Sequence, residues 1–272
     1  MNNFGIIQGR LTKSPKGILQ YFPKNKWKNE FKNAKKLGFN SIEIFADRTF
    51  NPLNPIWNDK GLDQILNQKK INKISTSSFC DDFIINNKLK NIKDFKKLNT
   101  HFKKIFKILK ILKCKIFILP FLDKSELNSF NYMNEINLFR DIAIELNKIK
   151  ITLCVETLLS ANNLKKLINK VSLNNFKCVY DTGNRVNLEK NYKNDIALLK
   201  NDIAHVHLKD KDDNDQNVIL GSGNVNFYDV FYNLKKINYK GDYIFETNRG
   251  VNALETAKFN LTFSKFYINQ FK

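Results

Sequence analysis

The stretch ITLCVETLLSANNLKKLINKVSLNNFKCVYD, residues 151–181, contains one full repeat of the pattern that decides the fold. It opens on a short apolar run, Ile151–Val155, closed by Glu156. A segment of helical period follows over 161–171, and a second apolar run, Lys177–Tyr180, is closed by Asp181. Short β-branched runs that alternate with longer amphipathic segments mark βα units feeding a parallel sheet. The alternation continues in both directions. Strands are expected at Phe4–Ile7, Ser41–Phe45, Lys73–Ser78 and Lys115–Leu119 upstream, and at Ile203–Leu208 and Asp242–Phe245 downstream, eight in all.

Helical segments fall near 26–37, 59–70, 93–113, 132–149, 161–171, 191–201, 226–236 and 252–270. In the third, Phe102, Ile105, Phe106, Leu109 and Leu112 form one apolar face, while Lys103, Lys104, Lys107, Lys110 and Lys113 largely occupy the other. Eight strand–helix pairs in 272 residues suit a single (β/α)8 TIM barrel over residues 1–272. A dinucleotide-binding fold is poorly supported. The nearest glycine motif, Gly221-Ser-Gly223, lacks a third glycine and follows a polar loop. The loop from Asp47 to Asp59, with Pro52, Pro55 and Trp57, is long enough to fold over a barrel mouth.

The formal charge of +20 suggests a polyanionic partner at first sight. Only five of the 46 basic residues are arginine, however, and the chain is equally rich in Asn and Ile. That composition reads as a Lys/Asn/Ile bias over solvated helix faces, with no specific nucleic-acid partner. Cys80, Cys114, Cys154 and Cys178 show no CxxC spacing and are expected to be reduced. The start, MNNFGIIQGR, lacks the charged and continuously apolar regions of a signal peptide, and lysines interrupt the longest apolar stretch, Ile105 to Leu122. A cytoplasmic protein without membrane association is the expectation.

Chemistry in a (β/α)8 barrel belongs at the C-terminal strand ends. The last four strands end on Glu156 (TLCVE), Asp181 (CVYD), His207 (HVHLKD) and Glu246 (YIFE). Each alone could cap a helix or pair with a lysine. At equivalent positions on consecutive strands the four converge, and without a cation three carboxylates would repel one another or meet a large desolvation cost. The donor set favours Mn²⁺, with Mg²⁺, Co²⁺ or Zn²⁺ as alternatives. His205 shares the face of His207 one layer deeper and reads as a buried structural histidine; His101 lies in a Lys-rich helix.

The motifs VET (155–157), YDTGN (180–184), HVHLKD (205–210) and IFE (244–246) resemble the xylose-isomerase-like sugar phosphate isomerase/epimerase superfamily, which also contains endonuclease IV. GIIQGRL (5–11), FPKNKWKNEF (22–31) and GFNSIEI (38–44) extend the resemblance over nearly the whole chain. It implies one divalent metal held by Glu156, Asp181, His207 and Glu246, with Glu156 and Glu246 also acting as acid and base. It further implies a sugar isomerase or epimerase working through an enediolate, with a related sugar or inositol dehydratase as the alternative. Dimers and tetramers are common among similar proteins. An abasic-site endonuclease would need a histidine-rich three-metal site; this chain has three histidines and carries Asn184 where that family has a histidine ligand. A non-catalytic binding barrel is the remaining reading, against which the intact quartet speaks.

Four of the five arginines, Arg10, Arg48, Arg185 and Arg249, follow strand ends closely, whereas Arg140 lies in a helix. Guanidinium forks hold phosphate and carboxylate well, so an anionic sugar is the expected substrate. Gln8, Arg10, Glu43, Asn184, Arg185, Lys209 and Arg249 are the candidate substrate contacts. Trp57, Phe50 and Phe79 are candidates for an apolar wall against the sugar.

Overall fold

The structure, a computed structural model, describes residues 3–15, 18–87, 92–128, 132–186, 188 and 191–271, without the side chains of 92–97 and 134. Eight parallel strands close into a barrel: Asn3–Ile7, Ser41–Ala46, Ser78–Asp81, Ile116–Phe121, Thr152–Thr157, Phe176–Asp181, Ile203–Leu208 and Asp242–Phe245. Neighbours in sequence are neighbours around the barrel, and the first strand pairs with the eighth through Asn3–Asp242 to Ile6–Phe245. The main helices run Trp27–Leu37, Asp59–Asn72, Ile92–Leu112, Ile136–Lys148, Ala161–Val171, Tyr192–Leu199, Phe227–Lys236 and Ala253–Gln270. All eight expected strands and helices are present. Among the described residues no helix is long and apolar enough to cross a membrane.

The third strand departs from expectation. It spans Ser78–Asp81 rather than Lys73–Ser78. Lys73 ends the preceding helix with φ at 53°, a left-handed conformation that cannot begin an extended strand. Residues 74–77 meet the sheet only locally, through an isolated bridge between Ser41 and Ser75 and through the Ser77 carbonyl, which accepts from the Lys115 and Ile116 amides. The strand therefore ends on Asp81 and is followed by Asp82, two carboxylates that the expected strand bounds leave out of the mouth.

Successive strand residues alternate between the barrel interior and the helix layer. Phe4, Phe39 and Phe245 pack together outside the barrel, as do Phe79, Phe102 and Phe117. Phe79 is fully buried there, so it is core and not a sugar-facing wall. Phe50 is 62 % exposed and packs on Trp57, which also contacts the His101 ring. His101 in turn bonds Asp81 through Nε2 at 2.8 Å and stacks on Phe83. All four cysteines are buried and free.

The loop after the seventh strand is wrapped around one carboxylate. Asp210 Oδ1 accepts from the Lys211 and Val225 amides, at 2.9 and 3.0 Å, and Oδ2 from those of Gly221 and Gly223, at 2.9 and 3.0 Å. Gly221 has φ at 86°, and a Cβ on Gly223 would lie 2.5 Å from Asp210 Oδ1. The Gly-Ser-Gly motif thus allows backbone to close on Asp210. Replacing Asp210 with Ala leaves four amides without this acceptor and is expected to cost about 3 kcal/mol, seen as a lower urea midpoint. An unchanged midpoint would refute this account of the loop.

Candidate active site

The inward positions of the last four strands meet at the C-terminal mouth. Ligand atoms of Glu156, Asp181, His207 and Glu246 all lie within 4.8 Å of one another, three of the residues being buried and Glu246 partly so. Registry explains the meeting: Asp181 and Ile244 both pair with His207, and Glu246 follows two residues after Ile244 on the same face. His207 Nδ1 lies 3.1 Å from Glu246 Oε2, 3.5 Å from Glu156 Oε2 and 3.9 Å from Asp181 Oδ2.

The motif YDTGN binds this site to its neighbours. The Asn184 amide donates to Asp181 Oδ1 at 2.7 Å, and its Nδ2 donates to Glu156 Oε1 at 2.8 Å. Thr182 Oγ1 donates to the Lys209 carbonyl at 2.5 Å and accepts from the Lys209 amide at 2.9 Å. A Cβ on Gly183 would come within 2.7 Å of Lys209 Cγ, so only glycine leaves room for that side chain. Lys209 Nζ then reaches Asp181 Oδ2 at 2.8 Å and Glu246 Oε2 at 3.0 Å. Arg10 approaches the other oxygen of Glu246 at 3.5 Å.

These surroundings separate the two glutamates. Burial raises the pKa of Glu156, the charges of Asp181 and Glu246 add to the rise, and His207 opposes it. Burial acts the same way on Glu246, but Lys209, His207 and Arg10 outweigh it and hold that carboxyl well below its ordinary range. The protein's own cations thus keep Glu246 ionised.

The other sequence candidates are placed as follows. Glu43 is fully buried beneath the quartet and accepts from both His205 and His207. That position replaces the expected substrate contact with one to the site's histidine. His205 is buried and hydrogen-bonded, as its place on the strand suggested. Arg185 donates to Asp195 Oδ2 at 2.6 Å and to the Leu159 carbonyl at 3.2 Å, and Arg249 donates to the carbonyls of Gly9, Leu19 and Ile18. Both guanidiniums brace loops, with Nη2 of each buried and without a hydrogen-bond partner. Arg48 pairs with Asp123 at 2.7 Å, and Arg140 caps carbonyls of Lys170 and Val171. Of the five arginines, Arg10 alone contacts the quartet among the described residues. Gln8 is buried with both amide atoms unpartnered beside this mouth.

The chemistry of the donor set fits a divalent cation. His207 Nδ1 and Asp181 Oδ2 are buried without a well-aligned hydrogen bond, and three carboxylates converge on that imidazole nitrogen. Sequence reading missed Asp82, which is buried at the end of the third strand with Cys80 Sγ 3.3 Å from Oδ1. The signal was the pair Asp81-Asp82 closing an apolar run, hidden by placing that strand too early.

Burial, with the charge of Glu246 adding to it, raises Asp82 from 3.8 to about 7. The folded chain therefore holds a proton that the unfolded chain releases, and stability falls as pH rises across that interval. In chelator-treated protein, the stability of the wild type relative to Asp82→Asn is expected to decline from about pH 4 to about pH 7. A difference that stays flat over that range in urea melts would contradict the assignment.

Comparison of the sequence with curated proteins finds no match. Solved structures similar to the whole chain include D-psicose 3-epimerase with D-tagatose from Clostridium cellulolyticum H10, at 16 % identity and TM-score 0.77, covering 98 % of this chain and 99 % of that one. An L-ribulose 3-epimerase matches at 15 % identity and TM-score 0.79, covering 100 % and 96 %. The 3-keto-D-glucoside 4-epimerase from E. coli matches at 16 % and TM-score 0.69, covering 98 % and 100 %. At these identities the likeness concerns the fold. The model of the xylose isomerase-like TIM barrel family matches residues 31–265, and the chain belongs to that family.

Proposed function

We propose that this chain is a divalent-metal-dependent epimerase or isomerase of a free ketose, acting at a carbon next to the carbonyl. The observation that carries the proposal is the quartet, in which two glutamates, one held by Lys209 and Arg10 and the other by Asn184, flank a candidate cation site. Glu156, Asp181, His207 and Glu246 would hold the metal, with Mn²⁺ favoured by this mixed carboxylate–imidazole set. Bound there, a divalent cation supplies charge stabilisation for the oxyanion that develops as the C–H bond breaks.

Glu246, kept ionised by Lys209 and Arg10, takes the proton from the carbon beside the carbonyl. The C–H electron pair moves into the carbon–carbon bond, and the carbonyl oxygen takes up the charge. Glu156 returns a proton to the opposite face for epimerisation; for isomerisation it protonates the former carbonyl carbon, while the proton of the neighbouring hydroxyl passes to the former carbonyl oxygen and the new carbonyl forms. Each step conserves the proton count, and the pair is restored by solvent exchange or by the reverse reaction.

The arginine pattern in the sequence suggested an anionic sugar. The engagement of Arg48, Arg185 and Arg249 in loop contacts weakens that inference and favours a neutral ketose. Two of the similar structures support this, being named for free ketoses, psicose with tagatose and ribulose, while the third is named for a neutral keto-glucoside. The abasic-site alternative is disfavoured: Glu43, His205 and His207 form a second group that could hold a metal, but His101 is turned to Asp81 and His207 is the quartet's one imidazole, short of a histidine-rich three-metal site.

Incubation of free ketoses, their phosphate esters and sugar acids with enzyme and Mn²⁺ in D₂O tests the reading. Deuterium is expected at the carbon beside the carbonyl of a free ketose, and Glu156→Gln or Glu246→Gln should slow its uptake by roughly 10²–10⁴-fold. Uptake confined to phosphorylated or acidic sugars would overturn the neutral-substrate assignment, and uptake unaffected by both substitutions would overturn the catalytic one.

A further inference from the structure

We propose that Glu43 is a positioning residue that fixes the imidazole of His207 with Nδ1 toward the cation site, and that His205 locks Glu43 in place. The inference rests on the reading of the quartet as a metal site. Glu43 Oε1 lies 3.1 Å from His207 Nε2, and Oε2 lies 2.8 Å from His205 Nε2. Glu43 and both histidine side chains are at most 1 % exposed. The bonds cross the barrel interior from the second strand to the seventh, which are not neighbours in the sheet. No backbone ladder enforces this contact, so the side chains themselves must make it.

The consequence for His207 is chemical. A neutral imidazole has one N–H and one lone pair, and the hydrogen bond made by one nitrogen decides the role of the other. In the neutral form that a bound cation requires, Nε2–H donated to Glu43 leaves the lone pair on Nδ1, the atom that faces Glu246, Glu156 and Asp181. Donation to a carboxylate also makes that lone pair a better donor to a cation. His205 serves a separate purpose. A carboxylate held at one oxygen can rotate about its last bond, whereas one held at both by rings 5.3 Å apart and inclined at 75° has a single orientation. Gln at position 43 would offer one acceptor and one amide donor, and so could satisfy only one of the two imidazoles. Asp would keep the charge but fall short by one methylene.

Calorimetric titration with Mn²⁺ of wild type, Glu43→Gln and Glu43→Asp, each checked for folding by circular dichroism, is the experiment. The wild type is expected to bind one Mn²⁺ per chain, and both variants to bind it roughly 10–100-fold more weakly while remaining folded. Should Glu43→Gln fail to fold, Glu43→Asp carries the comparison. Long-range ¹H–¹⁵N NMR of the Zn²⁺-loaded wild type should show His207 as the Nε2–H tautomer, a signature that a merely structural Glu43 would not require. Wild-type affinity in a folded variant, or an Nδ1–H tautomer, would overturn the proposal. So would two Mn²⁺ per chain with the second lost in Glu43→Gln, because Glu43, His205 and His207 would then be a metal site themselves. A wild type that binds no divalent metal is a distinct result: it removes the quartet reading, and this inference with it.

Discussion

Three carboxylates brought together in a largely buried cluster repel one another, and little water is there to screen them. Much of the chemistry-bearing part of this barrel can be understood as an answer to that constraint. Lys209 bridges Asp181 and Glu246, Arg10 approaches the far side of Glu246, and His207 stands between all three acids. Burial lowers the pKa of His207, but Glu43 foremost, with Glu156 and Glu246, outweighs it and holds it well above the usual histidine value. A divalent cation in the same place would answer the constraint more fully, which is why the donor set reads as a binding site and not as a salt-bridge network.

The cations that answer the repulsion are themselves held by backbone. Lys209 is tied at its amide and carbonyl to Thr182 and lies in the space that Gly183 leaves open. Arg10 sits on a turn whose Gly9 and Leu11 amides donate to the buried Glu30, and whose Leu19 carbonyl accepts from both Arg10 and Arg249. Gly9 adopts φ at 92°, and a Cβ there would run into the Tyr21 carbonyl. Arg10 and Arg249 thus help fold the first loop against the eighth, while Arg185 ties Leu159 to Asp195. This loop brace and the quartet share Arg10, so the shape of the mouth and the charge state of Glu246 are linked.

Beneath the mouth, polarity continues further into the barrel than a purely apolar core would require. Glu43 bridges two histidines on successive interior levels, and burial alone would raise the Glu43 carboxyl. His207 and His205 reverse that effect and keep it ionised. A polar layer at this depth is costly unless fully paired. Its pairing places a defined imidazole edge at the level above, where the four strand ends converge.

Sequence alone determined the eight-fold alternation, the barrel and the four strand ends, because period-two strands, amphipathic helices and terminal acids are written locally in the order of residues. It also contained the mutual spacing of VET, YDTGN and HVHLKD, though not the reason for it. The start of the third strand was not legible, since it depends on Lys73 adopting a left-handed cap, and Asp82 went unseen as a result. Glu43 and the arginines were assigned to substrate for a related reason. A charged residue near a strand end has the same local appearance whether it faces the mouth, a loop carbonyl or a histidine across the barrel. Only closure of the sheet decides between these, by bringing strand two to strand seven and loop one to loop eight. Contacts separated by 164 and 240 residues leave no periodic trace in the chain, and they are the ones that set what each side chain does.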